Sequence, residues 1–195
     1  EMTSSLVGSE MCIRDRKKIS TKDMVQIAMF TAVVAVLSQI AIPMPSGVPV
    51  TLQTLAVALC GYVLGSKKGA VSLLVYALLG AVGAPVFANF KGGLGAIAGP
   101  TGGFIWGFIF MAFLCGLGIE SKHKWLAVVL GIAGVLVCHA CGAAQFAIIK
   151  GNGFWSSALL VSVPYLVKDF LSVIIALGAA ALIRSRIKVT AAANQ

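Results

Sequence analysis

The chain has 195 residues, of which 59% are hydrophobic and only 11% are charged, and its formal net charge at pH 7 is +9. A soluble domain of this length does not need so much apolar surface, so the composition indicates an integral membrane protein. The basic residues lie at the ends of apolar segments, as in cytoplasmic loops of membrane proteins, which argues against nucleic-acid binding.

Residues 1–16 differ from the rest of the chain because they are polar and show no apolar periodicity. They contain no apolar stretch of the kind found in signal peptides, and they resemble a translated sequencing-adaptor sequence, so we interpret them as a non-native leader. Residues 17–23 are predicted to form a basic cytoplasmic segment, residues 24–188 one membrane domain, and residues 189–195 a short C-terminal tail.

Six apolar segments follow one another along the membrane domain. They cover residues 24–42, 51–64, 70–84, 104–119, 125–149 and 157–183. The expected fold class is therefore all-α, a bundle of six transmembrane helices with re-entrant or capping outer loops. The second and third segments are short for a hydrocarbon core that requires about 20 helical residues, so we expect neighbouring helices to support them or the segments to be partly re-entrant.

The basic residues divide unequally between the two sides of such a bundle. Six crossings place one group on the side of the N-terminus: Lys17, Lys18, Lys22, Lys67, Lys68, Lys122, Lys124, Arg184, Arg186 and Lys188. Lys91 and Lys150 fall on the opposite side. Because positive charge is enriched in cytoplasmic loops, we predict a multi-pass protein of a prokaryotic cell membrane, in contact with lipid, with both termini in the cytoplasm.

Two irregular stretches interrupt the helices on the predicted outer side. Residues 43–49 contain three prolines, which exclude a helix, and we expect this loop to lie over a pocket. Residues 86–103 contain six glycines and no acidic residue, and their apolar character predicts that they cap the mouth of the bundle. No phosphate-binding loop ending in Gly-Lys-Ser/Thr occurs in the sequence, which excludes ATP hydrolysis by that route.

The adjacent residues Lys168 and Asp169 lie inside an apolar run that is long enough to cross a bilayer. Charges at membrane depth are costly, and they usually face a bundle interior or a polar cavity. A cation next to a hydrogen-bond acceptor suits a small solute that carries both a carboxylate and N–H groups. The alternative is a structural ion pair, which is less favoured because buried pairs rarely stabilise more than apolar packing does.

Cys138 and Cys141 have the CxxC spacing of redox and metal sites, and His139 lies between them. We interpret the two cysteines as small packing residues, because no second pair of ligands occurs elsewhere and His139 alone does not make a metal site. An intramembrane thiol oxidoreductase that uses this pair is the less favoured alternative. Neither catalytic residues nor a metal site are therefore predicted.

Four short motifs occur in order along the chain. They are Pro-Val-Thr-Leu-Gln-Thr at 49–54, Gly-Ala-Pro-Val-Phe at 83–87, Gly-Pro-Thr-Gly-Gly-Phe at 99–104 and Pro-Tyr-Leu-Val-Lys-Asp at 164–169. In this order they resemble the BioY family, the biotin-binding S components of energy-coupling factor (ECF) vitamin transporters. The similarity extends over residues 22–188.

The resemblance implies a binding protein rather than an enzyme, without a cofactor of its own. Such a protein captures biotin from outside and delivers it by associating with a transmembrane T component and two cytosolic ATPases, which hydrolyse ATP. An S component for a different vitamin is the nearest alternative.

The family also implies roles for individual residues. An aspartate in the last helix contacts the ureido ring, which assigns that contact to Asp169. The lysine that the family often carries three residues later is Ser172 here. Lys168 lies one helical turn before Ser172 on the same face, so it is predicted to bind the carboxylate, with Lys91 as the competing residue.

Further residues are predicted to complete a biotin pocket. Asn89 and Gln53 would complement the ureido group, although Asn89 also suits a turn and Gln53 a link between helices. Phe87 and Tyr165 would flank the thioether ring, whereas Trp106 is better interpreted as an anchor at the membrane interface.

The first segment contains the pattern Ala-x-x-x-Ala at Ala28 and Ala32. Small residues four apart let another helix approach closely. The resemblance to S components implies that they contact the T component, and an internal packing face is the alternative.

Overall fold

The computed structural model describes residues 20–45 and 47–193, with side chains as far as Arg186. The predicted leader, the beginning of the basic segment and the side chains of the predicted tail lie outside this range. Eight α-helices are described, namely α1 (Thr21–Ser38), α2 (Gln53–Leu64), α3 (Ser66–Ala81), α4 (Leu94–Ala98), α5 (Gly102–Glu120), α6 (Lys124–Lys150), α7 (Phe154–Val161) and α8 (Val163–Ala193). The fold is that of an all-α membrane protein, as predicted.

Four of the described helices are long and apolar enough to cross a membrane. They are α1, α5, α6 and the part of α8 from Val163 to Arg186. The helices α2 and α3 have only 12 and 16 residues, as the short second and third segments predict. They are joined at Gly65, whose φ of 85° is favourable for glycine and lets the chain reverse between them.

The sixth predicted segment is not one helix, which corrects the prediction of a continuous span over residues 157–183. It is divided into α7 and α8 at Ser162, whose φ of −121° and ψ of −57° are not helical. Pro164 explains where α8 begins, because proline has no N–H to donate and is tolerated in the first turn of a helix. The carbonyl of Ser162 accepts hydrogen bonds from the next turn.

The irregular stretches also contain more structure than the sequence predicts. The first helix ends at Ser38, and the residues after it form strand β1 (Ala41–Ile42), which pairs antiparallel with β2 (Val50–Thr51) on the other side of the proline-rich turn. Within residues 86–103, a 3-10 turn covers Ala88–Phe90, and α4 follows.

Glycines allow the central helices to pack at short range. A methyl group added to Gly69 on α3 would lie 3.1 Å from the Cα atom of Gly61 on α2. One added to Gly61 would overlap the carbonyl group of Ala112 on α5. The close approach of these backbones replaces the interlocking of larger side chains, as is common between helices in membranes.

Candidate functional site

A cavity opens at one end of the bundle, where α2 and α5 begin and α6 ends. Its empty volume is about 830 Å³ with the open mouth included, which is within the range of small-molecule sites. Most of the wall is apolar or aromatic, and the polar side chains among the lining residues are those of Thr51, Gln53, Thr54, Lys91, Thr101, His139, Tyr165, Lys168 and Asp169. Such a wall suits a mainly apolar ligand that is oriented by a few polar contacts.

Helix α8 brings Lys168 and Asp169 to this wall. The Asp169 side chain is 6% exposed, and its Oδ1 atom lies 2.5 Å from Nζ of Lys168. Lys168 Nζ also donates a hydrogen bond of 2.8 Å to the carbonyl oxygen of Thr51. The two residues therefore form an ion pair, and both also line the cavity.

His139 of α6 is the functional candidate that sequence reasoning missed. Its Nε2 atom lies 2.9 Å from Oδ2 of Asp169, and the ring of Phe104 packs edge-on against the imidazole with centroids 5.7 Å apart. His139 and Asp169 are 30 positions apart in sequence, so no local pattern joins them. The available signal was the cost of placing an imidazole within an apolar helix.

Two atoms of this buried cluster keep unused hydrogen-bonding capacity. Among the described residues, His139 Nδ1 has no hydrogen-bond partner, and Asp169 Oδ1 accepts no hydrogen bond of normal geometry although the ammonium of Lys168 is close. Buried polar atoms without partners are rare in folded proteins and point to a ligand or another functional role.

Gln53 and Tyr165 lie on the cavity wall as predicted, and both also form hydrogen bonds within the protein. Gln53 Nε2 donates to the hydroxyl of Tyr76 at 2.8 Å, and that hydroxyl donates to the carbonyl of Val86 at 3.0 Å. Gln53 therefore both lines the cavity and links α2 to α3. The hydroxyl of Tyr165 donates to the carbonyl of Val48 at 2.7 Å, which fixes the aromatic ring in the wall.

The predicted residues of the glycine-rich loop separate into two groups. Phe87 is buried and lines the cavity, and Lys91 is exposed and lines its mouth. Asn89 is exposed, has a left-handed backbone with φ of 59°, and is not among the lining residues, so it has the properties of a turn residue. Trp106 is 46% exposed and also lies outside the lining.

Ser172 and the two cysteines do not add ionic groups to the site. The Ser172 hydroxyl donates to the carbonyl of Lys168 at 2.9 Å, inside α8. Cys138 is buried and lines the cavity, whereas Cys141 is partly exposed and does not. Within the described part of the chain, no group of three or more potential metal ligands is found.

Ala28 and Ala32 are exposed on the outer face of α1. The face that α1 buries is a different one, formed by Phe30, Thr31 and Val34. This placement leaves the alanines free for contact with another protein or with lipid, and it argues against an internal packing role.

Comparison with known proteins places this architecture in a family. The model of the BioY family matches residues 14–189. The chain belongs to the BioY family. A relative named biotin transporter BioY, from Thermotoga maritima, is 44% identical over 122 residues, which are 62% of this chain and 72% of that protein. A probable biotin transporter BioY from Pyrococcus horikoshii is 38% identical over 151 residues, 77% of this chain and 89% of that protein.

A solved structure supports the same fold for this BioY-family chain. It is a crystal structure of the S-component for biotin from an ECF-type ABC transporter. The two chains are 24% identical, the TM-score is 0.75, and the match covers 88% of this chain and 94% of the other. At this identity the similarity concerns the fold.

Proposed function

We propose that this chain is the biotin-binding S component of an ECF transporter and that biotin binds in the cavity beside Asp169. The observation that carries the proposal is the buried carboxylate of Asp169 in the wall of a mainly apolar and aromatic cavity. Its Oδ1 atom is ion-paired with Lys168 but accepts no hydrogen bond of normal geometry among the described residues. Membership of the BioY family and the names of the relatives support biotin as the ligand.

The chemistry of biotin matches the distribution of groups along the cavity. Its ureido ring carries two N–H donors, and in this proposal Asp169 Oδ1 accepts a hydrogen bond from one of them. Its bicyclic ring is apolar and fits between aromatic side chains such as Phe87, Phe104 and Tyr165. Gln53 contributes a further polar group on the same wall. A hydrogen bond to a charged acceptor is stronger than a neutral one, so Asp169 is expected to dominate recognition of the ring.

We assign the carboxylate of biotin to Lys91 rather than to Lys168. Lys168 Nζ lies 2.5 Å from Asp169 Oδ1 and is also bound to the Thr51 carbonyl. An extended biotin separates its ureido ring from its carboxylate by a second ring and four methylene groups. A ligand whose ureido group contacts Asp169 therefore directs its carboxylate away from Lys168, and Lys91 at the mouth supplies the cation. Lys168 then serves as the counter-ion of Asp169.

The remaining steps of uptake require partners. The sequence has no nucleotide-binding loop, so energy comes from two cytosolic ATPases through a T component. The exposed alanines of α1 form the contact with that T component. The cavity faces the outside of the cell membrane, because the basic residues Lys67, Lys124 and Arg184 lie at the opposite end of the bundle, which faces the cytoplasm.

Equilibrium binding of tritiated biotin to the purified full chain in lipid nanodiscs tests this proposal. Asp169→Asn is expected to lower the affinity about tenfold to a hundredfold, since a hydrogen bond to a charged group contributes about 1.5–3 kcal/mol. Asp23→Asn is the matched control, because Asp23 pairs with Lys68 outside the cavity, and it should leave binding unchanged. Absence of saturable biotin binding by the folded wild type, or stronger competition by thiamine or riboflavin, would overturn the proposal.

A further inference from the structure

His139 is one of the buried polar residues that line the cavity. It is 7% exposed, lines the cavity and contacts Asp169 through one ring nitrogen. The second ring nitrogen, Nδ1, is buried and unpaired within the part of the chain that the structure describes. Leaving a buried polar atom without a partner typically lowers the free energy of unfolding by about 1–3 kcal/mol. A ligand that supplies the missing hydrogen bond would explain why the atom is kept.

The proton on the imidazole can be placed by its neighbours. Nε2 faces a carboxylate oxygen that can only accept, so Nε2 carries the hydrogen and donates it to Asp169 Oδ2. The charge of Asp169 is already balanced by Lys168. A second cation would give the buried cluster a net positive charge, which is costly away from water. The neutral ring with hydrogen on Nε2 therefore suits the site, and its Nδ1 is then an acceptor.

Protonation would reverse the character of Nδ1 from acceptor to donor. The titratable groups around the ring are Asp169, Lys168 and Tyr165 on α8, Cys138 beside it on α6, and Lys91 at the mouth. The helices α2 and α5 face the cavity with neutral side chains such as Gln53 and Phe104. The acceptor role of Nδ1 therefore requires the neutral ring.

We propose that neutral His139 is a second substrate-binding residue, whose Nδ1 accepts a hydrogen bond from one ureido N–H while its Nε2–H holds Asp169 in place for the other. This inference rests on biotin being the ligand and adds a specificity-determining residue to the site. Two acceptors on one cluster select ligands with two N–H donors.

Isotope labelling of the wild-type protein tests the contact without any substitution. The chain has two histidines, and His123 is exposed in the short connection between α5 and α6, so it serves as an internal reference. In protein labelled with ¹⁵N-histidine at pH 8, addition of biotin should shift the Nδ1 resonance of His139 toward the values of a hydrogen-bonded nitrogen. The His123 resonances should stay in place. Saturation with biotin without movement of the His139 Nδ1 resonance would overturn the proposal.

Substitution and ligand analogues give an independent measurement. His139→Gln keeps an N–H donor for Asp169 but replaces the ring Nδ1 by an amide oxygen at a different position, so biotin affinity at pH 8 should fall about threefold to tenfold. His139→Leu removes both and should cost more, whereas His123→Gln should have no effect.

The two biotin isomers methylated on one ureido nitrogen identify the contact. The isomer that is methylated on the nitrogen facing His139 should bind the wild type much more weakly than biotin does. In His139→Gln it should lose little further affinity, because the methylation and the substitution remove the same hydrogen bond. Independent losses for both isomers would leave His139 as a structural partner of Asp169 only. Failure of the wild type to bind biotin at pH 8 would instead refute the proposed function itself.

Discussion

The two ends of the bundle differ in whether their buried polar groups have hydrogen-bond partners. At the closed end, formed by residues 61–69, 116–127 and Arg184, side chains complete hydrogen bonds to the backbone. Glu120 accepts from the Ser66 N–H and hydroxyl at 2.8 Å each, and Arg184 donates to the Tyr62 carbonyl at 2.8 Å. At the cavity end, formed by residues 41–53, 82–101 and 150–169, the chain bends into irregular loops and encloses space.

The buried polar atoms without hydrogen bonds mark the same division. Of the described side chains, those with such atoms are His139, Ser157 and Asp169, all toward the cavity end. The closed end uses polar groups to seal the packing of helices, whereas the cavity end leaves some buried polar atoms without hydrogen bonds. Two of these three residues, His139 and Asp169, line the cavity, which agrees with the site that we propose.

The strongest test of this difference between the two ends is to measure which end faces the outside of the cell. In a background without the five native cysteines, a cysteine at Lys150 should react with a membrane-impermeant thiol reagent in intact cells, and one at Lys67 or Lys124 should not. All three positions are exposed on the protein surface, so burial does not explain a difference. Labelling at Lys67 in intact cells would invert the orientation that we propose.

A complete loss of uptake is expected from blocking the exposed face of α1. Ala28→Trp or Ala32→Trp should abolish biotin uptake by cells and leave biotin binding to the purified chain intact, because a large ring prevents close helix approach. Ala181→Trp on the exposed surface of α8 is the matched control and should transport normally. Persistent uptake with both α1 substitutions would contradict the docking assignment.

Ligands with and without a carboxylate distinguish the roles of the two lysines at the cavity end, Lys91 and Lys168. Lys91→Met should weaken biotin about tenfold to a hundredfold and leave biotin amide nearly unaffected, because the amide has no charge to pair. Lys168→Met should weaken both ligands alike, since it acts through Asp169. The opposite pattern in competition binding would restore Lys168 as the carboxylate partner.

Substitutions of glycine should affect the closed end through stability. A methyl group at Gly116 on α5 would overlap the backbone at Ser66, whereas one at Gly178 on α8 meets no neighbouring atom within 4 Å. Gly116→Ala should therefore destabilise the protein by about 1–3 kcal/mol, seen as a lower melting temperature in detergent. Biotin affinity of the folded fraction should not change. Equal melting temperatures for the two variants would contradict the tight packing at this end.

The smallest effect is expected for the cysteines near the cavity. Cys138→Ala together with Cys141→Ala should leave biotin affinity within about threefold, because we interpret both as packing residues and small apolar replacements preserve the wall. A complete loss of binding by the folded double variant would instead indicate a ligand or redox role.

The sequence by itself determined the membrane-embedded helical fold, since hydropathy and the distribution of lysine and arginine are local properties that a bilayer imposes directly. It also determined that Lys168 and Asp169 place two charges within an apolar segment, because an ionic residue in an apolar run stands out without any knowledge of its neighbours. The break between α7 and α8 was missed although Pro164 indicated it, since the apolar run continues through the break and hydropathy does not register a change of direction.

Only the tertiary structure decided which polar groups meet. His139 and Asp169 lie on different helices, and their contact depends on how α6 and α8 are placed against each other. The same packing moves Asn89 out of the cavity lining and leaves Lys91 in it, although the two are neighbours in one loop. Residue identity sets what a side chain can do, but the partner that it contacts is fixed by long-range packing that has no signature in a single sequence.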